Sequence, residues 1–126
     1  MQFKWLFAAI ALGAGAAQAQ TPPAAPTPPA LSGEWVVDLS SEPGKPYTRP
    51  MVLVLAANGV ATGSFYESEI QAGRWKTDRG RTCVSFRTSD GVGPYHTSAC
   101  LTGDGVQGQT WAEHRNFLFN WNATRK

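Results

Sequence analysis

The stretch "PMVLVLAANGVATGSFYES", Pro50 to Ser68, decides the fold class. An apolar run meets Asn58-Gly59, and a second run then alternates small and large residues. Asn-Gly tolerates the positive φ angles of a two-residue type I′ turn, so the two runs read as a β-hairpin. Such a turn predicts Val54 opposite Gly63 and Val52 opposite Phe65. What remains open is whether the sheet it belongs to encloses a ligand or only its own side chains.

The same texture continues along the chain. Helical periodicity is missing nearly everywhere, and short β-rich runs recur between turn residues. The runs are 33–39, 51–57, 60–67, 70–77, 82–88, 95–101, 106–113 and 116–124. Between them stand "SSEPGKPYTRP", "NG", "SE", "DRG", "SDGVG", "TGDG" and "HR". Most of these connections are too short for anything but antiparallel neighbours. Eight sequential hairpin-linked runs predict an all-β fold, an antiparallel up-and-down (meander) barrel, because closure removes exposed edges. A barrel of that size holds packed side chains or one small ligand.

Two other segments precede the barrel. "MQFKWLFAAIALGAGAAQAQ" carries Lys4, an apolar core from Trp5 to Ala16, and small residues at Ala17 and Ala19. Residues 1–19 therefore read as a cleaved secretory signal peptide. Its apolar run is too short to cross a bilayer, so no transmembrane segment is expected after cleavage. Residues 20–30, "QTPPAAPTPPA", read as an extended Pro/Ala-rich linker, since proline fixes φ and lacks a donor. The folding unit is then 31–126, one domain of modest core, in the periplasm or outside the cell. Eleven Lys and Arg, one of them Lys4, face nine Asp and Glu, so bulk charge gives no reason to expect nucleic-acid binding.

Two Cys in an exported chain point to one disulfide. Pairing across "DGVG" sets Cys83 opposite Cys100, Ser85 opposite Ser98 and Arg87 opposite His96. Val84, Phe86, Ala99 and Leu101 then share the apolar face, so the bridge lies outside the barrel. It closes a short loop and contributes about 2–3 kcal/mol.

The last hairpin, "GQTWAEHRNFLFNWNATR", has two readings. Across His114-Arg115, Gln109 opposes Asn120 and Trp111 opposes Leu118. If the other face is inside, Ala112, Phe117, Phe119 and Trp121 form a packed core, and Gln107, Gln109, Asn120 and Asn122 are wet. In the inverted register Trp111 is inside, the amides line a polar pocket, and Phe117, Phe119 and Trp121 form an outer oligomer patch. The packed core is the expectation here, because it buries aromatics rather than amides.

The segments "LSGEWVVDLSS", "NGVATGSFYES", "AGRW", "HTSACLTG" and "QTW", in that order, together resemble the avidin and streptavidin family of secreted eight-stranded, biotin-binding barrels. "LSGEWVVDLSS" resembles the family's opening strand, and "NGVATGSFYES" its second hairpin. "AGRW", "HTSACLTG" and "QTW" resemble later segments in the same order, over most of 31–111. "GxW" at a first strand also opens lipocalins, so the resemblance extends to lipocalin-like barrels. Carried over position by position, it implies a ligand site built from Trp35, Ser41, Phe65, Tyr66, Phe86, Leu101, Trp111 and Asn122. The family's ureido-binding Asn falls on Val37 and its strand-end Tyr on Phe65, so the polar centre of a biotin site is largely replaced.

Other chemistry is thinly represented. His96 and His114 are the only histidines, and neither stands at zinc-ligand spacing, so no metal and no cofactor is expected. Glu67, Glu69 and Glu113 lie at strand ends without a predicted facing pair. Arg74, Lys76, Arg79 and Arg81 gather on one hairpin and read as a solvated face. The sequence therefore predicts a non-enzymatic secreted barrel that binds a small apolar or amphipathic molecule other than biotin, and leaves oligomer formation open. The rival is an envelope-associated interaction module or protease-inhibitor-type barrel with a sealed core. The interior volume separates the two.

Overall fold

In the computed structural model, Pro29–Lys126 are the residues described. The expected signal peptide and most of the expected linker lie outside them. The strands are β1 (Gly33–Asp38), β2 (Thr48–Leu55), β3 (Val60–Phe65), β4 (Ser68–Glu69), β5 (Gln71–Asp78), β6 (Arg81–Ser89), β7 (Pro94–Thr102), β8 (Gly105–Ala112) and β9 (Phe117–Arg125). A single 3-10 turn, Glu113–Arg115, links the last two. Every pairing is antiparallel. β1 pairs with both β2 and β9, and β2, β3, β5, β6, β7, β8 and β9 follow in sequence order. Eight strands thus close a meander barrel, and β4 is a two-residue arm on β3. No helix among the described residues is long and apolar enough to cross a membrane.

The β6–β7 and β8–β9 hairpins pair as the sequence predicts. Cys83 faces Cys100, Ser85 faces Ser98, and Arg87 faces His96. Gly108 faces Trp121, Gln109 faces Asn120, and Trp111 faces Leu118. Trp121 is buried and Phe119 packs against the core, whereas Gln107, Gln109, Asn120 and Asn122 are exposed. The packed-core reading of the last hairpin therefore holds. Phe117 shares the inner face but is exposed at the rim, its ring edge-on to Phe119 at 4.4 Å.

Two turns differ from expectation. The first hairpin pairs Leu53 with Gly63 and Val54 with Thr62, one residue out of the predicted register. Ala57, Asn58 and Gly59 form a three-residue loop, closed by Gly59 N–H to Ala56 O (3.0 Å) and Ala56 N–H to Val60 O (2.9 Å). Only Gly59 has positive φ; Asn58 instead accepts the Val60 N–H through Oδ1 at 3.1 Å. This is the type I turn with a following left-handed residue, and its extra residue flips the faces. Met51, Leu53 and Leu55 point inward, and Val54 is exposed. At the other end "SE" is not the turn. Tyr66 (φ 52°) and Glu67 (φ 64°) form it, and Ser68-Glu69 pair back onto Phe65 and Ser64. An irregularity between Gln71 and Arg74 then returns the chain to the wall.

The disulfide Cys83–Cys100 joins neighbouring strands, with Cα atoms 4.0 Å apart. It staples the outer face while Val84, Phe86 and Ala99 fill the inner one.

The barrel interior is layered. One end is sealed by Leu31, Trp35, Leu53 and Val106, and Val37 and Met51 fill the interior next to Leu39 and Phe65; all six are almost fully buried. Trp35 Nε1 donates to Leu31 O at 2.9 Å. The Arg125 guanidinium lies 3.9 Å from the centre of the Trp35 ring and donates to the carbonyls of Ser32 and Ala30. Above this plug, Phe65 packs against Phe86 (5.6 Å between ring centres) and Trp121 (5.4 Å). Trp121 Nε1 donates to Thr110 Oγ1 at 3.0 Å, and Thr110 also bonds Thr97 at 2.8 Å. Buried polar groups need such partners, and these three satisfy one another.

Candidate ligand cavity at the open end

Above the aromatic layer the barrel is open. A cavity of about 420 Å³ lies there, at the low end of the usual range for small-molecule sites. Strand parity explains its wall. Leu39, Thr88, Tyr95, Thr110 and Phe119 each stand on the inner face in the rim half of a strand or its extension. Phe65 closes the side next to the β3–β4 turn. Tyr47, Tyr66, Asp90 and Arg115, from the connections around the mouth, and Ser68 of β4 complete it. The lower wall sets the hydroxyls of Thr88 and Thr110 among the apolar Leu39, Phe65 and Phe119, and the rim is polar.

The rim is tied together by hydrogen bonds. Asp90 Oδ1 accepts the N–H groups of Val92 (2.8 Å) and Gly93 (3.1 Å), and Oδ2 accepts the Tyr95 hydroxyl at 2.8 Å. These bonds, the Tyr95 hydroxyl first, hold the Asp90 carboxyl well below the usual carboxylate range. Arg115 Nη1 donates to the Tyr95 oxygen at 3.1 Å. His114 braces the outside, with Nε2 3.6 Å from Asp90 Oδ2 and its ring edge-on to Tyr95. Across the mouth, the hydroxyls of Tyr47 and Tyr66 bond to each other. The Arg49 guanidinium covers both rings, at 4.6 and 5.1 Å from their centres. The bond to Tyr47, helped by Arg49, lowers the Tyr66 pKa.

Tyr66 and Glu67 both adopt left-handed backbone conformations, where Asn and Gly are the ordinary occupants. Non-glycine residues held there cost about 1–3 kcal/mol each and cluster at ligand clamps. Here the strain holds a phenol at the cavity rim.

Of the residues named from sequence, Phe65 and Tyr66 line this cavity. Phe86 lies in the aromatic layer beneath it. Trp35 belongs to the sealed end, and Leu101 is half-buried beside Val106 at that same end. Ser41 is exposed on the 40–47 loop; its stem residues Leu39 and Tyr47, joined by a 2.8 Å backbone bond, reach the cavity instead. Trp111 and Asn122 are on the outer face, because they alternate with the inward Thr110, Ala112, Trp121 and Ala123. His96 is on the outer face too, and Arg74, Lys76, Arg79 and Arg81 are exposed.

Sequence reasoning missed Leu39, Thr88, Tyr95, Thr110 and Phe119, although parity offered a signal. Each stands two residues along its strand from an inward Val37, Phe86, Thr97, Gly108 or Trp121. Comparison with protein-family models, curated proteins and solved structures finds no match for the chain. The closed barrel is consistent with an avidin-like or lipocalin-like fold, and the quoted motifs are the whole of the sequence resemblance.

Proposed function

We propose that this protein is a secreted or periplasmic, non-enzymatic barrel that holds one small amphipathic molecule in its open end. The cavity carries this reading. The interior is filled up to the Phe65–Phe86–Trp121 layer and unfilled above it. Packed interiors seldom leave voids larger than a water molecule. A mainly apolar wall under a ring of polar groups suits a ligand with an apolar body and one polar end. The rival reading, a sealed barrel that works through a loop, has less support, since the upper interior is open. The Cys83–Cys100 disulfide favours an oxidising compartment. Biotin is not the proposed ligand. Val37 is buried and apolar where a donor would be needed, and Phe65 offers a ring where a hydroxyl would be needed.

A fluorescence titration with N-phenyl-1-naphthylamine tests the proposal. Saturable, blue-shifted emission with one site per chain is expected, and excess biotin leaves it unchanged. Ser68→Trp places an indole at the mouth from the half-buried end of β4. It should weaken the probe about tenfold or more while the thermal melt moves little, as for most surface changes. A non-saturating signal, or equal binding by Ser68→Trp, would count against a cavity ligand.

A further inference from the structure

We infer that the ligand's polar end is an anionic oxygen group received by Arg115 at the cavity rim. The inference rests on the reading of the cavity as a ligand site, and deepens it by naming the head group.

Among the described residues, two charged side chains line the cavity, Asp90 and Arg115. Their hydrogen-bonding capacities are used very differently. Asp90 is committed to its own loop. Both its oxygens accept from Val92, Gly93 and Tyr95, and His114 stands 3.6 Å away. A cationic head group would have to compete for lone pairs already engaged. Tyr95 gives its proton to Asp90 and its lone pair to Arg115, so it too is committed.

Arg115 has spare donors. A guanidinium has five N–H groups, and the bond to Tyr95 uses one. Among the described residues Arg115 forms no salt bridge. Its fork matches a planar carboxylate, or two oxygens of a sulfonate or phosphate. Tyr95, itself held by Asp90, fixes where the fork sits. Across the mouth, the Tyr47–Tyr66 pair spends one of its two phenolic protons on the mutual bond. The other is left to donate, and Arg49 stacks its positive charge on the same two rings. The Asp90 carboxylate stands on the same rim, but its oxygens are engaged within its own loop, so the groups left to meet an incoming head are the free N–H donors of Arg115 and one phenolic hydroxyl. Leu39, Phe65 and Phe119 supply the wall for the body below.

A matched pair of probes isolates the head group. 8-Anilino-1-naphthalenesulfonate and N-phenyl-1-naphthylamine share one aryl body and differ by a sulfonate. The full chain should bind the sulfonate about tenfold tighter or more. Arg115→Gln should weaken the sulfonate about tenfold to a hundredfold and leave the neutral probe within about twofold. Arg115→Lys should fall between, since it keeps the charge and loses the fork. Competition by 1-naphthoate and by 1-naphthyl phosphate tells a carboxylate head from a phosphate head; displacement by either supports the inference. Unaltered circular dichroism of the variants excludes unfolding as the cause. Equal affinity for the two probes, or equal loss of both in Arg115→Gln, overturns the anion inference while the cavity reading stands. Failure of the neutral probe to bind overturns both.

Discussion

Trp121→Ala is expected to destabilise the barrel by about 3–5 kcal/mol, while Gln109→Ala changes stability by less than about 0.5 kcal/mol. The two residues are a dozen positions apart on one hairpin and lie on opposite faces of its sheet. Trp121 is 3% exposed and packs on Phe65. Its Nε1–H is satisfied by Thr110, so the indole is buried without a polar penalty. It fits because it faces Gly108, where a Cβ would stand 2.2 Å from the indole ring. Truncation would remove the centre of the aromatic layer and open the cavity floor toward the sealed end. Neighbouring side chains could relax only in part, which sets the cost of such voids. Gln109 bonds Asn120 at 3.0 Å on the wet face, where water replaces the lost partner. Urea titrations of both variants measure the difference as a shift in midpoint at constant slope. A Trp121→Ala midpoint close to wild type would place the indole outside.

Gly63→Ala is the second large effect, at about 3 kcal/mol or more. Gly63 holds φ +127°, a conformation that L side chains rarely adopt. Strain of that kind costs about 1–3 kcal/mol. Its Cβ would also lie 1.9 Å from Val52 O and 2.8 Å from Val52 C. Both are backbone atoms of the paired strand, so no rotamer change relieves the contact. Overpacking adds about 1–3 kcal/mol, and separating β3 from β2 would also disturb Phe65, two residues on. Thermal melts of the oxidised protein test this. A Gly63→Ala barrel as stable as wild type would mean that β2 and β3 do not approach this closely.

How much of this was legible in the sequence depended on how clearly inner and outer residues alternate. In β6 to β9 apolar and polar side chains take turns, so Cys83–Cys100, Arg87–His96 and Gly108–Trp121 could be paired from turn positions alone. In β2 the run Met51–Leu55 is apolar throughout, so it carries no parity. The register then rested on Asn58-Gly59, which serves two-residue and three-residue loops alike. Family resemblance pointed to Trp111 and Asn122, whose parity puts them outside. Asp90 and Arg115 lie in turns, where neither alternation nor spacing predicts which way a side chain faces. Their partnership through Tyr95 emerges only when the β6–β7 and β8–β9 connections meet at one end of the closed barrel.

The most direct test of the account locates the bound probe. With N-phenyl-1-naphthylamine bound to isotope-labelled protein, isotope-filtered NOE spectra report which side chains lie within about 5 Å of the naphthalene protons. A ligand held in the open end gives cross-peaks to the Leu39 methyls and to the rings of Phe65 and Phe119, all in the cavity wall. Cross-peaks to Trp111 and Leu118 instead, both exposed on the outer face, would contradict that placement.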